Sequence, residues 1–176
     1  MMTDARYPIG TYVEQPFSAA LLQERLLDIR FLPNLLESAL LNLDAMQQDQ
    51  PIREGAWTIK QIAHHLADSH LNAYIRFKLT LTEENPIIKP YDQDTWAVLP
   101  DSLNMPSNYS CTLLHALHHR WHYLMSVLNE NDWSKTYYHP EYEKTCTLWY
   151  LLGLYAWHGK HHVAQIDALR KSKGWE

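Results

Sequence analysis

The chain has 176 residues, 46% of them hydrophobic, with 15 Lys and Arg against 20 Asp and Glu and a formal net charge of -5. That length supports one domain with a sizeable core, and that composition excludes a disordered chain. Scattered basic residues exclude nucleic acid as the main partner, and no run of ~18 apolar residues offers a membrane span. Two cysteines, Cys111 and Cys146, make no disulfide framework, and Met1 to Pro16 holds no apolar run of signal-peptide length, so the expected compartment is the cytoplasm.

Residues 1–17 carry Pro8, Gly10 and Pro16 without helical periodicity and read as an extended arm. Ser18 is an N-cap for a first helix over about 18–48, in which Leu22, Leu26, Ile29, Leu36, Leu40 and Leu43 recur at helical spacing. Pro33 should kink or break it. After a connection at 49–56, Thr58 followed by Gln61 fits a capping box, and an apolar face from Ile59 to Leu81 predicts a second helix to about residue 82. Residues 83–108 form a long irregular stretch with four prolines, and Tyr91-Asp92-Gln93-Asp94-Thr95-Trp96 at its centre suits a lid. A third helix is expected over about 109–129, a second irregular link over 131–146, and a fourth helix from Thr147 to Lys173 with Gly174 as its stop. These elements make a single all-α domain over 1–176: a four-helix bundle whose long links permit crossover connections.

The fourth helix carries His158, His161 and His162. His158 and His162 are four residues apart, within roughly 40° on a helix, and share the core-facing stripe with Leu151, Leu154, Tyr155, Gln165, Ile166 and Leu169. Two imidazoles at that spacing can grip one metal ion from one helix. A third donor must come from elsewhere. On the second helix, His65 tops a polar seam that continues through Ser69, Asn72 and Arg76, while His64 points about 100° away, further from the core, and His70 lies in the apolar stripe. His65 is preferred because a metal site needs an accessible mouth, with His70 as its rival. His115, His118, His119 and His122 repeat the same spacing on the third helix, but that set reads as a partly exposed face.

The motifs carry a resemblance. Trp57-Thr58, His64-His65-Leu66-Ala67-Asp68-Ser69-His70 and Tyr155-Ala156-Trp157-His158-Gly159-Lys160-His161-His162 are similar to the YfiT branch of the DinB/YfiT superfamily. So are Arg6-Tyr7-Pro8-Ile9-Gly10, Asn72 to Lys78, Pro90-Tyr91-Asp92 and Tyr137-Tyr138-His139-Pro140, nearly end to end. The resemblance implies a four-helix bundle that binds one divalent metal, zinc or nickel, through His65, His158 and His162. It implies a metal-dependent hydrolase acting on a small molecule, and a homodimer. Gln165 stands where some close relatives would carry a histidine. Other members of the superfamily are S-transferases or isomerases that use a low-molecular-weight thiol such as bacillithiol, mycothiol or glutathione. A metal-dependent thiol S-transferase is therefore the first alternative, and a non-catalytic metal- or ligand-binding stress protein the second.

Three neutral imidazoles leave an open position on a divalent ion, which is the pattern of a catalytic site and suits water or thiol activation alike. Four other residues are candidates for supporting roles. Arg76 could hold a substrate carboxylate or phosphate, Asn72 could orient substrate, Asp68 could accept the second ring N–H of His65, and His161 could relay protons.

Overall fold

A computed structural model describes residues 6–175. From Arg6 to Phe17 the arm has no regular secondary structure and is tied down by indole N–H groups, Trp157 donating to the Gly10 carbonyl and Trp149 to the Gln15 carbonyl; the start of the arm lies outside the described residues. Ser18 accepts from the Leu21 amide and starts α1, Ala19–Leu40. Pro33 lies inside α1, buried, and the helix runs through it unbroken. Burial of Ile29, Leu32 and Leu36 on both sides of the proline outweighs the missing hydrogen bond. The helix ends earlier than its apolar pattern suggested: Asn42 takes φ 62° and turns the chain before the single turn α2, Ala45–Gln48, capped by Asp44. Thr58 and Gln61 form the expected capping box at the head of α3, Ile59–Thr82.

The link from α3 is not wholly irregular. It contains α4, Gln93–Ala97, capped by Asp92, and α5, Pro100–Asn104. The third long helix, α6, spans Asn108–Ser126. A 3₁₀ segment, Glu130–Ser134, leads into a feature absent from the sequence expectation, an antiparallel hairpin of β1, Thr136–His139, and β2, Lys144–Thr147. Tyr137 pairs with Cys146 and both face inward. Four-residue strands are too short for a period to stand out, so the hairpin read as loop. Its β1 also pairs with the link after α3, through Ile88 N–H to Tyr138 O and Tyr138 N–H to Pro86 O. The last helix, α7, runs over Leu148–Lys173 from the Thr147 cap to Gly174 in left-handed conformation, as its sequence predicts.

The long helices form a square. The first, α1, packs on α6 and α7, and α3 packs on the same two, which leaves α1 and α3 on one diagonal and α6 and α7 on the other. The chain therefore crosses the bundle twice, through residues 41–58 and 127–147. Close approach of α1 and α7 rests on Gly159, where a Cβ would collide with the Leu32 side chain.

The interior is divided. One apolar cluster gathers Leu26, Ile29, Phe77, Trp121, Trp133, Leu148 and Leu152. The other gathers Leu32, Leu36, Ile62, Leu66, Leu114, Val163 and Ile166. Between them, on each of three helices, sits histidine: His70 on α3, His118 on α6, and His158, His161 and His162 on α7. No helix among the described residues is long and apolar enough to cross a membrane.

Candidate metal centre

Apolar packing above and below forces this histidine layer to find partners inside it. His65, His158 and His162 each offer one nitrogen, and these three atoms lie within 4.8 Å of one another. His65 Nε2 and His158 Nε2 are 3.2 Å apart. Two nitrogens on one tetrahedral zinc, each at ~2.0–2.1 Å from the ion, would be separated by about 3.3 Å. The spacing therefore fits a shared ion, and the donor set suits zinc, nickel and similar metals.

The protein fixes the ring tautomers from behind. Gln165 donates through its side-chain nitrogen to the Arg6 carbonyl, at 3.0 Å, which sets the orientation of the amide. Its oxygen then faces His162 Nδ1 at 2.9 Å and accepts from it. His162 Nε2 is left with a free lone pair. The same Gln165 nitrogen lies 3.0 Å from His161 Nε2, so one amide orders two imidazoles. Behind His158, Nδ1 lies 3.3 Å from His70 Nε2. His70 is fully buried and stacks on His118, whose Nδ1 donates to the Ile29 carbonyl. Trp57 packs against the His65 ring at 4.6 Å between centroids.

Charge follows burial. Desolvation lowers the His65 pKa to about 4. Desolvation first, and then the neighbouring imidazoles, hold His70, His158 and His162 well below the ordinary histidine range. All four rings are neutral at pH 7, which is the form that ligates a metal.

On one side the cluster opens to a cavity of about 600 Å³. His158 lines it, with Tyr155 and Ser69 from the bundle, Tyr91 from the link after α3, and Tyr137 and His139 from the hairpin. Tyr91 packs against Trp96 in a tilted arrangement at 4.4 Å between centroids, and the stretch expected as a lid forms one wall of this space.

The other sequence candidates separate. Arg76 is buried and lines the cavity. Asn72 donates its side-chain N–H to the Asp68 carbonyl and is bound into its own helix. Asp68 makes no hydrogen bond to His65; burial and then Asp101 raise its pKa to about 6. His161 is stacked on Trp157, meets the His162 ring edge-on at 5.3 Å between centroids, and shares Gln165 with it. His64, expected to point further from the core than His65, is nevertheless buried between α3 and α6, against Ser110 Oγ and the Met105 carbonyl. His70, the rival third ligand, instead backs His158. Sequence reasoning missed that role and the role of Gln165. The available signal was a buried amide one turn beyond His162 on the core stripe, which needs partners of its own. The α6 histidines diverge, and among the described residues they make no group of three metal donors.

The DinB superfamily model matches residues 28–166. The chain belongs to that superfamily. Relatives from Bacillus cereus and Bacillus anthracis are 47% identical over 175 residues, covering 99% of this chain and 100% of theirs, and bear the name "Putative metal-dependent hydrolase". YfiT from Bacillus subtilis matches in structure with a TM-score of 0.96 and 40% identity, covering 99% of this chain and 100% of that one. It is described as a probable metal-dependent hydrolase with an unusual four-helix bundle topology. The chain is thus a DinB superfamily member of the YfiT branch, and the diagonal crossings above are its topology.

Proposed function

We propose that this DinB superfamily protein is a metal-dependent hydrolase of a small molecule, with one zinc or nickel ion held by His65, His158 and His162. One observation carries the reading: three neutral imidazole nitrogens converge where His158 meets a 600 Å³ cavity. Structural zinc is normally closed by four protein ligands, whereas three ligands and an open face belong to catalysis. Such an ion supplies Lewis acidity and lowers the pKa of water toward ~7. The chain supplies the rest. Gln165 holds His162 in one tautomer, and the contact with His70 directs the His158 ring. Trp57 packs on the third ring, and the tyrosines of the cavity wall give the substrate an aromatic surface. The relatives' names support the same activity.

The test strips the protein with a chelator, reloads zinc or nickel, and follows a panel of small esters, amides and phosphate esters. Hydrolysis that appears only on reloading, and is absent in His158→Ala, is expected. Intact substrates alongside metal-dependent loss of a free thiol to an electrophile would overturn hydrolysis in favour of S-transfer.

A further inference from the structure

Arg76 follows His65 by eleven residues on the same face of α3, about 16 Å further along the helix axis. Its side chain is only 8% exposed and lines the cavity that His158 also lines. Among the described residues the guanidinium makes a single hydrogen bond, a long one of 3.4 Å from Nη2 to the Lys89 carbonyl. Its buried Nε has no partner. Among the described residues no carboxylate pairs with it. Its charge acts instead on neutral groups of the wall, namely Tyr91, Tyr137, His139 and Tyr142. Burial first, and then Arg76, keep His139 below the ordinary imidazole range, so that ring brings no second positive charge. The carboxylates that line the cavity, Asp92, Asp94 and Glu141, are all exposed, and Asp92 is taken up by Thr95.

A buried cation without a counter-charge is costly to fold around. The planar fork of arginine matches a carboxylate or phosphate with two parallel hydrogen bonds. With the cavity taken as the substrate site of the proposed hydrolase, we infer that Arg76 binds a terminal oxyanion of the substrate, of the carboxylate or phosphate type. Side chains on α3 tilt back toward the helix N-terminus and arginine reaches further than histidine, so the guanidinium and the imidazole cluster are on the order of 10 Å or more apart. The substrate class is then an anion whose acid group and cleaved bond are several bonds apart.

Suberate, a linear dicarboxylate of about that span, is the probe. Its affinity is measured by calorimetry for zinc-loaded and metal-free protein, in wild type, Arg76→Gln and Arg76→Lys. Arg76→Gln should weaken suberate binding at least about tenfold in both metal states, and Arg76→Lys should restore part of it. The ligand-free Arg76→Gln protein should melt no lower than wild type, because it loses an unpaired buried charge. Equal suberate affinity in wild type and Arg76→Gln, or no binding to wild type, would overturn the oxyanion site. So would a lowered melting temperature with unchanged affinity, which would make Arg76 a structural anchor for Lys89. Arg76 dependence that persists while zinc adds nothing would leave the oxyanion site standing and remove the metal reading.

Discussion

Two helices of this bundle carry histidines at the same spacing and do different things with them. On α6, His115 and His119, and His118 and His122, are four residues apart; on α7, His158 and His162 are. The α6 set is pulled in separate directions. His115 meets Glu37 at 3.0 Å, His118 turns inward to the Ile29 carbonyl, and His119 is exposed. The α7 pair instead faces a third imidazole on α3 and has a polar partner behind each ring, His70 for His158 and Gln165 for His162. An i, i+4 spacing only places two rings on one helix face. A candidate metal centre also needs a third donor on a neighbouring helix, burial that keeps the rings neutral, and partners that fix each Nδ1. Both α6 and α7 pack on α3, so the difference lies in what each pair meets there: the α7 pair faces His65, whereas His118 stacks on His70 and turns its Nδ1 to the Ile29 carbonyl.

The sharpest way to break the comparison is to remove one ring from each helix. His158→Ala should lower bound metal from about one ion per chain to none, whereas His119→Ala should leave it unchanged by elemental analysis; retention in His158→Ala would end the distinction. A smaller effect concerns pH. Burial lowers the His118 pKa to about 4, against an ordinary 6.5. The unfolded chain therefore binds more protons than the folded one between those values, and stability falls as pH drops from 6.5 toward 4. This ring alone should cost the metal-free protein about 3 kcal/mol over that window, and His118→Leu should remove that share of the slope in urea titrations. His65, also lowered to about 4 by burial, adds a similar loss that His118→Leu leaves in place. Smaller again is the contribution behind the ligands: Gln165→Leu frees the His162 tautomer and should weaken zinc about 10–100-fold in competition with a chromophoric chelator. Unchanged affinity would show that Gln165 only fills space.

Much of the frame was legible because its signals are local. The Ser18 cap, the Thr58 capping box and the Gly174 stop each act within one helical turn, and the structure keeps all three. Convergence of His65 with His158 and His162 was also legible, since periodicity fixed two faces and the resemblance named the same three residues. Contributions that depend on the tertiary structure were not. Pro33 survives inside α1 because packing on α6 and α7 decides the matter. The hairpin at 136–147 forms in strands too short to show a period, and it positions Tyr137 and His139 in the cavity wall. His64 is buried because α6 lies over it. The parts of Gln165 and His70 emerge only when the Arg6 carbonyl and the His158 ring are in place.

The most direct test of the central claim is anomalous scattering at the zinc edge from crystals of zinc-loaded protein. The account predicts one strong peak within ~2.0–2.1 Å of a nitrogen from each of His65, His158 and His162, open on the side of the cavity. A peak among the α6 histidines, or no peak between α3 and α7, would contradict it.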